Sequence, residues 1–191
     1  MSAIFKTHLQ KFTNINDTDF PELMQFFRSV KVRRKHNLLT EGEICKYNYF
    51  VISGCLRKFF INEKGVEQTT EFAIENWWIT DNIAYERRTT SGFFIQAIEN
   101  AHVLMIDYES QQKMFVKFPA MERYFRFIYE RAYGAAQMRI KYLYSLSKEQ
   151  FYFHFIESHP DFAQRIPQYL LASYLGFTPE YLTEIRNKRR S

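Results

Sequence analysis

Short runs of hydrophobic residues, several with apolar and polar positions in alternation, occupy the chain from about residue 38 to 106. Runs of this length, bounded by turn residues, predict β-strands. Gly65 closes a four-residue turn between two of them, which is typical of a β-hairpin. Closely spaced strands with few helical intervals predict a small antiparallel roll or barrel. The runs span residues 47–53, 56–61, 66–74, 93–98 and 101–106.

From Tyr108 onward the hydrophobic period changes to threes and fours, which predicts helices. The longest predicted helix runs from Met121 to about Leu146 without a proline, and another follows at 148–158, with His159 and Pro160 as its stop. One stripe of the long helix can face its own roll or a copy of itself. The stripe comprises Tyr124, Phe127, Ile128, Arg131, Ala135, Met138 and Tyr142.

The last quarter of the chain contains two short helical patterns joined at a glycine. Leu171 and Leu175 have helical spacing before Gly176, and Leu182 and Ile185 have the same kind of spacing after it. Gly176 lies where the backbone must turn with a positive φ, a conformation that glycine adopts at little cost. This arrangement predicts a helix-turn-helix.

The residues around that turn suit the start of the second helix. Thr178 can cap the helix, Pro179 suits its first turn, and Glu180 places a negative charge at its positive end. Ala172 is small where the two helices have to cross closely. The second helix of such a motif normally enters the major groove of DNA, although a helical hairpin in a core has the same pattern.

The outward face of the second helix is opposite Leu182 and Ile185. Residues on that face are candidate base readers, namely Pro179, Glu180, Thr183, Glu184 and Asn187. Candidate contacts to phosphates are Gln168, Tyr169, Thr178, Arg186, Lys188, Arg189 and Arg190. Two glutamates and no arginine on the reading face are electrostatically unfavourable for DNA. The alternative is therefore a ligand-binding or protein-interaction module with a degenerate helix-turn-helix.

Composition excludes several classes of protein. The chain has 191 residues, a net charge of +5, and 20 Phe with 13 Tyr, which is ample for a core. Two cysteines are too few for a disulfide scaffold or an iron–sulfur cluster. The five histidines lack metal-ligand spacing, and no P-loop or nucleophile-elbow motif occurs, so we expect no metal, no catalytic residues and no enzyme. Without an apolar run of about 18 residues or a signal peptide, we expect a cytoplasmic protein with no membrane partner.

The order of roll, long helix and helix-turn-helix resembles the Crp/Fnr family of bacterial transcription regulators over essentially the whole chain. The resemblance is most specific in Leu39-Thr-Glu-Gly-Glu43, in Tyr49-Phe-Val-Ile-Ser-Gly54 and in the C-terminal motif. It is similar to the short form found in Bacteroidetes-like bacteria, and no wing is expected after the second helix. It implies an α+β fold: a cyclic-nucleotide-binding-like antiparallel β-roll at 1–118, a long dimerisation helix at 119–146 and an all-α helix-turn-helix domain at 147–191.

The resemblance also implies partners. We expect a homodimer on a near-palindromic site in double-stranded DNA, because DNA-reading helices usually come in symmetric pairs. The expected dimer residues of the long helix are Tyr124, Phe127, Ile128, Arg131, Ala135 and Met138. RNA polymerase and an unidentified small-molecule effector are further candidate partners.

The sequence departs from the family at the effector site. A cyclic-nucleotide site resembles a Gly-Glu pair that opens a short helix, followed by an Arg-Ser or Arg-Thr pair that binds the phosphate. Here Thr80 and Asp81 occupy the first pair and Ser91 and Gly92 the second, so the phosphate-binding arginine is missing. We therefore expect no cAMP and no other cofactor, unless a shifted register supplies Arg87 or Arg88.

Aromatic residues surround this site, and two interpretations are open. The pocket is either filled by its own side chains or shaped for an aromatic or apolar effector. The candidate pocket residues are Trp78, Thr80, Asp81, Tyr85, Arg87, Arg88, Ser91 and Phe93.

Overall fold

A computed structural model of the chain describes residues 2–188, with side chains for residues 3–187. The N-terminal part begins with helices α1 (Ser2–Gln10) and α2 (Phe20–Leu23) and a 3₁₀ turn (Met24–Phe26). Within the described residues, eight strands follow: β1 (Arg28–Val32), β2 (Asn37–Leu39), β3 (Tyr47–Ser53), β4 (Leu56–Ile61), β5 (Glu67–Ala73), β6 (Trp78–Ile79), β7 (Phe94–Ala97) and β8 (Ala101–Asp107). The helices after α2 are α3 (Asn82–Arg87), α4 (Tyr108–Lys117), α5 (Ala120–Ser145), α6 (Lys148–Ser158), α7 (Pro160–Arg165), α8 (Gln168–Leu175) and α9 (Pro179–Lys188). The predicted α+β fold class is confirmed.

The strands form two four-stranded sheets, in the orders β1-β8-β3-β6 and β2-β7-β4-β5. Strand β8 pairs antiparallel with both β1 and β3, so that Val103 lies opposite Val30 on one side and Val51 on the other. Side chains from both sheets fill the space between them, including Val51, Leu56, Ile95 and Val103, each with no exposed surface. Apolar burial of this kind is the main driving force for the roll.

The predicted hairpin is confirmed, with its turn at Asn62–Gly65. Gly65 has a φ of +73° and donates its N–H to the Asn62 carbonyl at 2.9 Å. The Asn62 side chain accepts from the N–H groups of Lys64 and Val66, each at 3.0 Å. The turn is therefore held by one asparagine side chain and one glycine backbone.

A second core lies between the first sheet and helices α1, α4 and α5. Tyr124 is fully buried there, and its hydroxyl accepts a 2.8 Å hydrogen bond from the indole N–H of Trp78. Phe5, Phe50 and Phe125 are also buried in this cluster. The predictions for two residues need correction: Tyr124 is a core residue rather than a dimer residue, and Trp78 faces this core rather than an effector pocket. Large aromatic side chains on a long helix bury readily against a sheet of the same chain.

The described residues form two compact units. One comprises the chain up to Phe60 together with Glu71–Arg131, and the other comprises Ile61–Thr70 together with the chain from Ala132 onward. The second unit therefore contains the tip of the β4–β5 hairpin as well as helices α6 to α9. Its buried apolar residues are Phe151, Tyr152, Phe155, Ala163, Ile166, Leu170, Leu171, Ala172, Leu175, Phe177, Leu182 and Ile185.

Candidate DNA interface and effector position

The turn between α8 and α9 has the backbone that the sequence predicts. Gly176 ends α8 in the left-handed region, with φ +77° and ψ +31°. The Gly176 N–H donates to Ser173 O at 3.3 Å, and the Phe177 N–H donates to Ala172 O at 2.8 Å. These bonds satisfy carbonyls at the end of α8 and direct the chain into α9.

Helix α9 begins with the predicted cap. The Thr178 hydroxyl accepts from the Tyr181 N–H at 3.3 Å, and the Thr178 carbonyl accepts from the Leu182 N–H at 3.1 Å. Pro179 is the first residue of the helix, where its fixed φ suits the helix and its missing N–H costs nothing.

Helix α9 has one buried face and one exposed face. Leu182 and Ile185 are 1% and 2% exposed, so they anchor the helix in its own unit. All five candidate base readers are exposed: Pro179, Glu180, Thr183, Glu184 and Asn187. The predicted orientation of α9 is thus confirmed, while contact of this face with DNA stays a prediction.

The candidate phosphate contacts are distributed around α8 and α9. Gln168 and Tyr169 are exposed at the start of α8, Thr178 is exposed in the turn, and Arg186 is half-buried on α9. For Lys188 the structure describes only the backbone, at the end of α9, while Arg189 and Arg190 lie outside the described residues.

A groove of about 560 Å³ opens beside the first turn of α9. Val66 and Gln68 of the hairpin form one wall, and Lys148 of α6 and the turn between α8 and α9 form the others. Its lining residues are Val66, Gln68, Lys148, Gly176, Phe177, Thr178, Pro179, Glu180 and Tyr181. The hairpin side of this groove was not predicted, because Val66 and Gln68 lie about 100 positions before the start of α8 and carry no motif.

The predicted effector position brings Asp81 and Ser91 together. One carboxylate oxygen of Asp81 accepts from the Ala84 N–H at 3.2 Å and caps α3, while the other accepts from the Ser91 hydroxyl at 2.8 Å. Ser91 also accepts from the Phe93 N–H at 3.0 Å. Asp81 and Ser91 are both buried. The start of α3 therefore already holds an anionic group from the chain itself.

Thr80 and its neighbours extend this polar cluster. The Thr80 hydroxyl donates to Tyr47 O at 2.9 Å, and the ammonium of Lys58 donates to Thr80 O at 3.0 Å. Lys58 also pairs with Glu71 at 2.6 Å, across β4 and β5. Cys45 contacts the Thr80 hydroxyl at 3.3 Å, and burial raises the pKa of the Cys45 thiol. The polar groups at this position thus bond to other side chains and to backbone carbonyls of the chain.

Three further candidate pocket residues, Tyr85, Arg87 and Arg88, make their described contacts elsewhere. The Tyr85 hydroxyl donates to Ile106 O at 3.2 Å, and burial raises the pKa of Tyr85. Arg87 is exposed and pairs with Glu86 at 3.8 Å. Arg88 ends α3 with a φ of +56°, and its guanidinium lies 5.7 Å from the centre of the Tyr108 ring. The contacts described for Arg87 and Arg88 are thus to Glu86 and Tyr108, and the absence of a phosphate-binding arginine stays a prediction.

Helix α5 carries an exposed apolar stripe that differs from the predicted one. Tyr129, Tyr133, Ala136, Ile140 and Leu143 are all exposed and follow a 4-3-4-3 spacing. This spacing is the heptad pattern of a two-helix seam. The stripe predicted from the sequence is shifted by one or two positions from this exposed stripe and includes the buried Tyr124.

The remaining predicted dimer residues fall into two groups. Ile128 packs against the core, Phe127 lies 6.3 Å from the Phe12 ring, and the Arg131 guanidinium lies 4.8 Å from the same ring. Ala135 and Met138 are exposed. Phe127, Ile128 and Arg131 thus contact side chains of their own chain, and a role of Ala135 and Met138 in a dimer stays a prediction.

Solved structures share this fold at low sequence identity. A chain from Eubacterium rectale, assigned to the crp/fnr family of transcriptional regulators, is 14% identical with a TM-score of 0.72, covering 92% of this chain and 84% of that one. FixK2 from Bradyrhizobium japonicum is 16% identical with a TM-score of 0.73, covering 85% and 83%. The c-di-GMP-responsive global regulator CLP of Xanthomonas campestris is 14% identical with a TM-score of 0.74, covering 92% of each chain.

These likenesses confirm the resemblance at the level of the fold: the chain has the architecture of Crp/Fnr-type regulators. No protein-family model and no curated protein matches the sequence. Among the described residues, no helix has the length and apolar character needed to cross a membrane. Within the same residues, no group of three or more His, Cys, Asp or Glu side chains is arranged to hold a metal ion.

Proposed function

We propose that the protein is a DNA-binding transcription regulator of the Crp/Fnr type and that α9 is its recognition helix. One observation carries the proposal: α9 is capped and anchored by Leu182 and Ile185, while its five candidate base readers face solvent. The same fold occurs in known regulators of this type. A helix exposed in this way fits the major groove.

The chemistry of the reading face favours particular bases. The carboxylates of Glu180 and Glu184 accept hydrogen bonds, so they suit the N4 amino group of cytosine. Asn187 has the donor and acceptor that pair with adenine. The Thr183 hydroxyl donates to Pro179 O at 2.9 Å, which leaves its methyl group to contact the methyl group of thymine.

Affinity would come from contacts to phosphates. Gln168 and Tyr169 lie at the start of α8, the end of a helix that favours negative charge, and Arg186 lies on α9. Lys188, Arg189 and Arg190 add positive charge in the sequence immediately after Asn187. These charges offset the two glutamates of the reading face.

A homodimer would place two copies of α9 in successive major grooves, about one helical turn apart. The exposed heptad stripe of Tyr129, Tyr133, Ala136, Ile140 and Leu143 supports a parallel seam between two copies of α5. Ala136 allows the two helices to approach closely between the larger tyrosine and isoleucine side chains. Exposed large apolar residues in a row are typical of an interface.

We further propose that the protein does not respond to cAMP. The carboxylate of Asp81 holds the start of α3 and would repel a phosphate, and Ser91 supplies no positive charge to bind one. cAMP at millimolar concentration should therefore leave the thermal midpoint of the protein unchanged; a rise in the midpoint would contradict this point. The proposed partners are double-stranded DNA, a second copy of the chain and RNA polymerase. The proposed location is the cytoplasm.

The two exposed glutamates of α9 favour a second candidate, a ligand-binding or interaction module whose helix-turn-helix no longer binds DNA. A gel-shift assay with genomic fragments at two salt concentrations separates the two functions. A regulator shifts a subset of fragments and keeps that preference at the higher salt. Absence of any shift at low salt, or a shift of all fragments that disappears at higher salt, would favour the second candidate.

A further inference from the structure

The tip of the β4–β5 hairpin, residues Ile61–Thr70, belongs to the same compact unit as the helix-turn-helix. Among the described residues, strand β5 is at the edge of its sheet, so its outer side can pair with elements other than a strand. The Ser173 hydroxyl of α8 accepts from the Thr69 N–H at 2.9 Å and donates to Glu67 O at 2.8 Å. One serine side chain thus pairs with the strand edge in place of another strand.

Arg139 of α5 joins the same contact from the other side. One of its terminal nitrogens donates to Thr70 O and the other to Tyr174 O, each at 2.6 Å. The guanidinium also lies 4.2 Å from the centre of the Tyr174 ring. Because charge-assisted bonds to carbonyls are stronger than neutral ones, Arg139 links the hairpin tip to the end of α8.

This contact affects the position of α9, the proposed recognition helix, through α8. Helix α8 carries Ser173 and Tyr174 on one side and packs through Leu171 and Leu175 in the core that also contains Leu182 of α9. The docked tip leaves all five candidate base readers of α9 exposed and forms one wall of the groove beside the first turn of α9. The orientation of α9 is therefore set in part by a strand that lies outside the helix-turn-helix.

We propose that the DNA-binding unit of this protein is composite: the hairpin tip completes it, and Ser173 and Arg139 are the positioning residues that hold the tip in place. The inference rests on the proposed DNA-binding function. Neither residue is required to touch DNA, so their loss should reduce sequence discrimination without removing a phosphate contact.

The first test measures binding of the full chain to a selected DNA site and to a scrambled site by fluorescence anisotropy. Ser173→Ala should weaken specific binding about tenfold, as expected for two lost hydrogen bonds, with the same salt slope as the wild type. Ser173→Thr keeps the hydroxyl and should regain most of the affinity. Ser145→Ala is the matched control, because the exposed Ser145 hydroxyl bonds only to Lys141 O on its own helix among the contacts described. Arg139→Gln should behave like Ser173→Ala, and wild-type specificity in both variants overturns the proposal.

A second test locks the tip in place. The hydroxyl oxygens of Thr69 and Ser173 are 3.3 Å apart, so a Thr69→Cys, Ser173→Cys protein can form a disulfide, while the native Cys45 and Cys55 are both buried. The oxidised protein should bind the specific site at least as tightly as the reduced protein. Loss of specific binding on oxidation, restored by reductant, would show that DNA binding requires an undocked tip and would overturn the proposal.

A third measurement separates this inference from the proposed function. Hydrogen exchange should show the Thr69 amide protected in the wild type and exposed in Ser173→Ala, whether or not the protein binds DNA. If the wild type binds no DNA but shows this pattern, the proposed function is wrong, while the contact of the hairpin tip with α8 is supported. If the Thr69 amide is unprotected in the wild type, the docked tip itself is wrong.

Discussion

The Ser91 hydroxyl donates a 2.8 Å hydrogen bond to the carboxylate of Asp81, ten residues earlier in the chain, and both side chains are buried. The second oxygen of the same carboxylate caps helix α3 through the Ala84 N–H. By the Crp/Fnr resemblance, Asp81 stands at the glutamate position of a cyclic-nucleotide site and Ser91 at the arginine position, and in this structure the two side chains bind each other. The hydrogen-bonded pair of Asp81 and Ser91 should therefore contribute to the free energy of unfolding, which can be measured.

Replacing Asp81 with alanine should lower the free energy of unfolding by about 1–2 kcal/mol, because the substitution removes a helix cap and the 2.8 Å hydrogen bond from the buried Ser91 hydroxyl. Urea denaturation followed by circular dichroism measures the change. Asp19→Ala is the matched control, since Asp19 precedes α2 without a side-chain cap bond, and its effect should stay within about 0.5 kcal/mol. Equal effects of the two substitutions would contradict the role given to Asp81.

A charge on the exposed stripe of α5 should separate a dimer into monomers. Tyr133 is 67% exposed and is the second residue of the stripe, and a glutamate there would place two negative charges face to face in a parallel seam. Light scattering coupled to size exclusion should show the mass of a dimer for the wild type and of a monomer for Tyr133→Glu. Val116→Glu alters a still more exposed apolar residue on α4 and should leave the dimer intact. A Tyr133→Glu protein that elutes as a dimer would place the seam elsewhere.

Two substitutions on α9 should affect DNA binding in different ways. Glu180→Ala removes a candidate base contact, so selection from random DNA should show relaxed preference at one position of each half-site, a change of about 1–3 kcal/mol for the preferred base. Arg186→Ala removes a candidate phosphate contact, so affinity should fall for all sequences and the salt slope should decrease by about one. Unchanged base preference in Glu180→Ala, or an unchanged slope in Arg186→Ala, would remove that residue from the interface.

His8 should make the fold less stable in mild acid. Burial, with smaller contributions from Lys11 and Arg131, lowers the pKa of His8 from its usual 6.5 to about 4. Between these values the unfolded chain binds a proton that the folded chain does not bind. Stability should therefore fall as the pH drops from 6.5 to 4, by up to about 3 kcal/mol.

The pH dependence is assigned to His8 by substitution. His8→Phe keeps a ring against Phe12 and Phe50 and should flatten the loss of stability between pH 6.5 and 4. Replacing the exposed His36 with glutamine should leave the wild-type profile unchanged. A profile that is the same in His8→Phe and the wild type would mean that another group controls it.

The local pattern of the sequence predicted the elements that depend on near neighbours. Strands β3 and β4, helix α6 and the turn at Gly176 follow from alternation, helical spacing and the need for positive φ. The exposure of Glu180 and the burial of Leu182 follow from the same helical period. These features are set by residues within one or two turns of each other.

Features that depend on distant residues were not predictable in this way. The side of α5 on which Tyr124 lies is set by Trp78 and Phe50, which come from strands far earlier in the chain. Helix α1 was not predicted, because its apolar residues are buried by packing against the first sheet, whose strands come later in the chain. The contact of Ser173 with Glu67 joins residues 106 positions apart and leaves no periodic trace in the sequence.

The most direct test of the proposed function is a competition titration of the full-length protein. The protein binds a fluorescent duplex selected from genomic fragments, at about 0.15 M salt, against unlabelled specific and scrambled duplexes. We expect saturation at two chains per duplex and at least a thousandfold preference for the specific competitor. Equal competition by the scrambled duplex, or no binding at this salt concentration, would contradict it.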